Sequence, residues 1–467
     1  MPQVRRCVDC RGDVGEGVLS VAGTTAGVGV GASRPPGNVA DGTSGPTGAF
    51  PRVAGTVHAE RVPLPEIAAA AGTPAYVYST GAIAGQYRAL DAAFAAVPHR
   101  IHYSVKANGN LAILRLLQSL GAGVDIVSGG ELFRALRANF TGRDVVFSGV
   151  GKTAVEIGEA LAAGVRLINA ESEAELQIVN DEAARAGVVA DVALRVNPEV
   201  TVSTPHPYIK TGERGNKFGI AYDEIREVAR RATRLPSIRI SGLDMHLGSQ
   251  IGGTGPYREG LQRVTELFGA LVADGNTHLE YLDVGGGLAV TYDDERAADP
   301  VALAAVVTPA VPAGVTLVLE PGRYLVANAG VLLTRVLYRK QTGGKTYIIT
   351  DAGMTELLRP SHYSAYHRIE PVVARPGGST VVDVVGPVCE SGDFFALDRR
   401  LDDVVPGDLL VIYSAGAYGF AMASNYNARP RPAEVLVDGG RFAVVTTRET
   451  YEDLVRHEQP TLAWRGA

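Results

Sequence analysis

Between Ile101 and Glu320 the chain alternates short apolar, β-prone runs with longer stretches whose apolar residues recur every three or four positions. The short runs predict strands over 101–106, 123–127, 144–148, 166–170, 191–196, 238–245, 280–284 and 315–320. The longer ones predict helices, among them 130–138, 153–163, 171–186, 222–233 and 257–274. Eight strand–helix units over this length are what a (β/α)8, TIM-type barrel requires, and an open doubly wound sheet rarely sustains so many. Upstream, Leu64-Pro65-Glu66-Ile67-Ala68 reads as a helix start, Tyr76-Val77-Tyr78 as a strand, and Thr80 as the cap of a helix running to about Ala96. After Gly330 the period changes. Val-rich runs at 331–338, 345–350, 380–385, 409–413 and 433–437 are separated by Gly-Asp, Pro-Gly and Gly-Gly turns, which predicts a mostly-β domain. The expected organisation is a disordered tail over 1–55, a segment over 56–79 packing with the β domain, the barrel over 80–330 and the β domain over 331–467.

Composition changes this picture only at the N-terminus. Gly, Ser, Thr, Pro and Val dominate the first 55 residues, with almost no aromatic side chains and no persistent period. Such a stretch buries too little apolar surface to offset its ordering entropy. Cys7 and Cys10 form a Cys-x-x-Cys, but a zinc site needs a second ligand pair and none lies nearby, so no metal is expected. Elsewhere the chain has the proportions of an ordinary globular protein of two domains, with 467 residues, 46% hydrophobic and 20% charged. A net charge of −6 gives no footprint for nucleic acid or membrane. Three cysteines build no disulfide framework, Arg5-Arg6 precede no apolar export core, and no apolar run is long enough to span a bilayer. A cytoplasmic protein is expected.

The chemically expressive residues fall at the carboxyl ends of the expected strands, where α/β barrels keep their active sites. Lys106 ends the first, in Tyr103-Ser104-Val105-Lys106-Ala107-Asn108. A buried lysine there can act as a neutral amine and form a Schiff base. Asp125 lies within the second strand, His246 to Gln250 follow the sixth, Gly285-Gly286-Gly287 the seventh, and Glu320-Pro321-Gly322-Arg323 the eighth. Three glycines after a buried strand let backbone N–H groups converge on an anion. A reactive lysine and a phosphate cradle on one barrel face point to pyridoxal 5′-phosphate, with Glu320 as the carboxylate for its pyridine nitrogen and His246 flat against its ring.

With these residues in view, the chain resembles the alanine-racemase-type barrel family of pyridoxal-phosphate enzymes, and within it the decarboxylases that act on meso-diaminopimelate. The matching stretches are Tyr103–Asn108, Val127–Leu132, Lys217–Gly219, His246–Gln250, Gly285–Gly287, Glu320–Arg323, Asp351–Met354, Arg359-Pro360, Tyr363, Gly386–Asp393, Ala415–Gly419 and Met422–Asn427. The likeness runs from about residue 60 to the end. It implies that Lys106 forms an imine with the cofactor and that His246 stacks on its ring. It also implies that Ser249, Gly286, Gly287, the backbone at Gly322 and Arg323, and Tyr418 hold the phosphate, and that Glu320 pairs with the pyridinium. Arg323, Arg359 and Tyr363 are implied to hold the distal carboxylate of the substrate, with Tyr418 on the substrate side as well. Glu390 is implied to bind the distal amine and Cys389 to act near the reacting carbon, both reaching in from a partner subunit of a homodimer with shared active sites. Ser361-His362 depart from the apolar pair usual before this tyrosine.

The implied reaction is decarboxylation of meso-2,6-diaminopimelate to L-lysine and CO2, the last step of lysine biosynthesis. The alternative is a related decarboxylase acting on ornithine, lysine or carboxynorspermidine, although two substrate-facing arginines suit a distal carboxylate that ornithine and lysine lack. A racemase of this fold would place an arginine rather than Glu320 near the ring nitrogen. A non-catalytic pyridoxal-phosphate binding protein would lack the β domain and the Cys389-Glu390 loop.

Overall fold

The computed structural model describes residues 48–465, apart from 203, 205, 207–210, 213–214 and 277. The tail expected over 1–55 lies outside the described residues up to 47. Its last residues are packed: Ala49 and Phe50 are buried with Val57, Val372 and Tyr413, and Arg52–Val53 pairs with Thr56–Ala59. The Phe50 ring meets Tyr413 edge-on at 6.4 Å. Phe50→Ala is therefore expected to cost about 3–4 kcal/mol of stability, read as a lower denaturation midpoint.

Eight parallel strands close into a barrel: His99–Ser104, Gly123–Ile126, Val145–Phe147, Leu167–Ala170, Ala190–Asn197, Ile238–Asp244, Tyr281–Asp283 and Thr316–Leu319. Each pairs with the next, and Thr316–Leu319 returns to His99–Ser104. Every expected strand is present, shortened by a residue or two at most ends. The outer helices begin where polar side chains cap the loops that leave the strands. Asn110, Ser128, Thr153 and Ser172 accept from the amides of Ala112, Glu131, Glu156 and Glu175. For the helix Thr80–Ala93, Ser79 is the cap and Thr80 the first helical residue, because Ser79 Oγ accepts from the Ala82 amide.

Arg52–Val53, Thr56–Ala59 and Val62–Pro63 form a small sheet of their own, and a nine-stranded sheet is centred on Gly330–Thr342. That strand pairs antiparallel with Ala75–Ser79, Lys345–Thr350 and Leu409–Ile412. Ala75–Ser79 also pairs with Ala433–Asp438, so the chain crosses the β domain before it enters the barrel. Ile369–Pro371, Ser379–Val385, Phe394–Asp402 and Arg441–Thr446 complete the sheet. One hydrophobic core runs without a break from the barrel helices into this sheet, from Ile83 and Leu114 to Leu332 and Leu410. No helix among the described residues is long and apolar enough to cross a membrane.

Candidate active site

The first barrel strand stops at Ser104, and Val105–Ala107 make one 3-10 turn. Lys106 thus stands just beyond the strand rather than at its last residue. The β domain fixes this turn. The Tyr418 amide donates to the Ala107 carbonyl at 2.8 Å, and Asn108 Nδ2 donates to the Gly416 carbonyl at 3.1 Å. Two sequence stretches 308 residues apart are joined by these bonds.

Lys106 Nζ donates to Asp125 Oδ2 at 2.7 Å; the carboxylate is fully buried while the lysine side chain stays about one-third exposed. Burial works to lower the ammonium's pKa, but the charges of Asp125 and Glu320 outweigh it and hold it above the ordinary lysine value. The amine must be neutral to bond an aldehyde, so Asp125 opposes that step. Asp125→Asn is expected to lower the Lys106 pKa. Recovery of visible absorbance when pyridoxal phosphate is added to apoprotein should then reach its maximal rate at lower pH than in wild type. An unshifted rate–pH profile would contradict the assignment.

Glu320 is buried, and its Oε1 accepts from Ser148 Oγ at 3.2 Å and Asn169 Nδ2 at 3.3 Å. Asp244, Asp283 and Glu320 bring carboxylate oxygens within 4.8 Å of one another. Burial first, then the neighbouring carboxylates, pushes the Glu320 and Asp244 carboxyls well up, and burial lifts Asp283 to about 6. Arg195 is the counter-charge, 2.5 Å from Glu171 and 3.6 Å from Asp244. Glu320 is the carboxyl of this cluster that would face the ring nitrogen of a bound pyridoxal phosphate, whose positive charge would offset the carboxylates. His246 is pushed down to about 3 by burial and by Arg195, and is neutral at working pH. Thr211 Oγ1 lies 2.8 Å from the His246 carbonyl and 3.0 Å from Nδ1. With the one hydroxyl hydrogen given to the carbonyl, Nδ1–H donates back to the oxygen.

Beside this floor is an anion cradle. A Cβ at Gly286 would run into the Glu320 carbonyl, and one at Gly287 would stand 2.6 Å from the Gly248 carbonyl. The amides of Gly286, Gly287 and Gly322 donate to no backbone carbonyl among the described residues. Ser249 Oγ borders the cradle and accepts from Arg323 Nη2 at 3.1 Å.

Adjoining the cradle sit two buried guanidiniums. Arg323 Nη1 donates to Tyr292 Oη at 2.7 Å and its Cζ stands 4.8 Å from the Tyr418 ring centre. Arg359 lies 4.4 Å over the Tyr292 ring, and its Nη1 is 2.8 Å from His367 Nε2. Neither forms a salt bridge within 4.0 Å among the described residues, and Arg359 Nε is buried with no hydrogen-bond partner there. Burial and then the charge of Arg323 lower the Arg359 pKa. Tyr363, on the same short helix Arg359–Tyr363, meets His362 at 4.5 Å and His206 of the barrel at 5.5 Å, both edge-on.

The pyridoxal-binding-domain model of the pyridoxal-dependent decarboxylases matches residues 80–327. A diaminopimelate decarboxylase of Neisseria meningitidis is 47% identical over 404 residues, covering 86% of this chain and 99% of that protein. The chain belongs to the pyridoxal-dependent decarboxylases. Among solved structures, diaminopimelate decarboxylase of M. jannaschii in complex with L-lysine superposes with a TM-score of 0.84 at 36% identity, over 89% of this chain and 98% of that one. The Helicobacter pylori enzyme with L-lysine gives 0.81 at 39% identity, over 85% and 99%. The cofactor of this decarboxylase family is pyridoxal phosphate, and the residues here fit it: a lysine beyond a strand end, a cradle that a Cβ would fill, amides with no backbone acceptor among the described residues, and the buried Glu320 carboxyl.

Cys389 and Glu390 are exposed on a turn of the β domain, unlike the buried residues above. Asp393 shapes that turn, accepting from the Met354 and Val388 amides at 2.6 Å each, while Asn427 Oδ1 accepts from the Cys389 amide at 2.9 Å. Among the described residues, neither Cys389 nor Glu390 bonds Lys106, His246 or Glu320. Around the site stand residues to which the sequence assigns no role: Ser148, Asn169, Arg195, Tyr292 and His367, and also Asp244 and Asp283, which open the strand-end stretches Asp244–Gln250 and Asp283–Gly287. Five of them are polar positions at the carboxyl ends of otherwise apolar barrel strands, which is the signal that would have found them. Tyr292 and His367 sit in irregular segments with no period to mark them.

Proposed function

We propose that this decarboxylase removes CO2 from meso-2,6-diaminopimelate, yielding L-lysine in the cytoplasm as the last step of lysine biosynthesis. The carrying observation is the buried Arg323–Arg359 pair, which has only neutral partners among the described residues. Two like charges out of water are costly unless an anion completes the site. A substrate with a second carboxylate supplies that anion, while lysine and ornithine do not. Relatives bearing the diaminopimelate decarboxylase name support the same reading.

In this reading Lys106 supplies the amine that holds the cofactor aldehyde, and Glu320 keeps the ring nitrogen charged. Bound pyridoxal phosphate supplies the sink for the electron pair left when CO2 departs. His246 packs flat on the ring as a neutral imidazole, and Ser249, Gly286, Gly287, Gly322 and Tyr418 bind the phosphate. Arg323, Arg359 and Tyr363 hold the distal carboxylate and so orient the departing one. Cys389 delivers a proton to the carbon that lost CO2, and Glu390 binds the distal amine. Both act across a homodimer interface, which suits their exposed turn. Co-expressed Lys106→Ala and Cys389→Ala chains should then recover about a quarter of wild-type activity in mixed dimers, where one of two sites is intact in half the dimers. Mixed dimers as inactive as either parent would contradict a shared site. The function itself is tested by incubating holoenzyme with meso-diaminopimelate: equimolar CO2 and L-lysine are expected, and any other amine product would overturn it.

A further inference from the structure

We propose that His367 is a positioning residue for substrate selection, a neutral acceptor that aims the Arg359 guanidinium at the distal carboxylate without neutralising it. The inference rests on the diaminopimelate reading and adds to it the residue that makes the clamp selective.

The bonds around His367 fix its tautomer. A carbonyl only accepts, so the 2.8 Å contact to the Tyr413 carbonyl requires a hydrogen on Nδ1. A guanidinium only donates, so the 2.8 Å contact from Arg359 Nη1 requires a bare Nε2. The ring is fully buried, and its own carbonyl accepts from Arg399 Nη1 at 2.9 Å, which locks the residue at both ends. Burial, then Arg359, pushes the imidazole well below its ordinary value, so it stays an acceptor throughout the working range. Tyr292 closes the arrangement. Its ring stands edge-on to His367 at 5.4 Å and face-on to Arg359 at 4.4 Å.

The consequence is an arginine with one edge taken and the other open. Nη1 is held by His367, while Nε is buried and has no partner among the described residues. A carboxylate binds a guanidinium best through two parallel bonds from one edge, and the Nε edge is the one left over. A carboxylate at position 367 would have fixed Arg359 equally well, but it would have cancelled the charge the substrate needs. A neutral histidine fixes the geometry and keeps the charge.

The test is steady-state kinetics of holoenzyme His367→Leu and His367→Gln with meso-diaminopimelate and with L-lysine as substrates. His367→Leu removes the acceptor. KM for meso-diaminopimelate should rise roughly 10- to 100-fold while kcat stays within about threefold and the cofactor absorbance is unchanged. His367→Gln returns an acceptor oxygen and should recover most of the lost KM. Should His367→Leu fail to fold, the comparison is Gln against Glu. The glutamate pairs with Arg359 and should raise KM for the dicarboxylate above that of Gln. An unchanged KM in the leucine variant, equal defects in Leu and Gln, or a glutamate variant no worse than Gln would each overturn the assignment. Wild-type enzyme that uses L-lysine as readily as meso-diaminopimelate would instead defeat the substrate reading, before any variant is made, and the role of His367 with it.

Discussion

Lys106→Ala is expected to lower decarboxylation by about 10⁴-fold or more and to yield protein without the visible absorbance of bound cofactor. The expectation follows from position and charge. Lys106 leaves the first barrel strand on a turn pinned to Tyr418 and Gly416, and its ammonium bonds Asp125 and feels the charge of Glu320. Among the described residues, the buried Lys152 is already committed. Lys152 Nζ donates to the carbonyls of Gly149 and Asn169 and pairs with Glu175 at 2.7 Å, so it cannot stand in. Treating wild-type holoenzyme with borohydride and mapping the modified peptide should place the adduct on Lys106. An adduct that persists at another lysine in the alanine variant would show that the wrong amine had been chosen.

Arg359→Gln is expected to reduce kcat/KM for meso-diaminopimelate by about 10³- to 10⁴-fold, with the cofactor spectrum intact and the slow turnover of L-lysine little changed. A site built around a buried charge rejects ligands that leave it unpaired far more strongly than an apolar pocket rejects a missing methylene. Here the unpaired group is explicit: Arg359 Nε has no partner among the described residues, and Arg323 and Arg359 share the Tyr292 side chain, one through its hydroxyl and the other through its ring. Removing one guanidinium should therefore act on discrimination rather than on cofactor binding. An equal loss for both substrates would mean that Arg359 supports the fold or the cofactor instead.

The barrel was legible in the sequence because parallel strands buried on both faces leave continuous apolar runs, and the intervening helices repeat at a distinct period. All eight strands fall where those runs predict them. The β domain was only partly legible. Phe394–Asp402 reads as charged and irregular because its outer half faces solvent, and Arg441–Thr446 lies at the sheet edge, where little burial imposes a pattern. Ala75–Ser79 was recognisable as a strand. Its place between Gly330–Thr342 and Ala433–Asp438 is a long-range pairing that no local period encodes. In the site, Lys106, His246, Glu320 and the glycines stood out because their types are unusual at strand ends. Tyr292 and His367 did not, since their work is done through other side chains and their neighbours in sequence are loops. From sequence Asp125 is only a carboxylate within the second strand, and the 2.7 Å contact is what reveals that it sets the lysine's charge.

The most direct test of the account is the ratio of kcat/KM for meso-diaminopimelate to that for L-lysine or L-ornithine, measured on wild-type holoenzyme. A clamp of two buried arginines predicts a ratio of about 10⁴ in favour of the dicarboxylate. A ratio below about ten, with lysine or ornithine decarboxylated nearly as well, would contradict it.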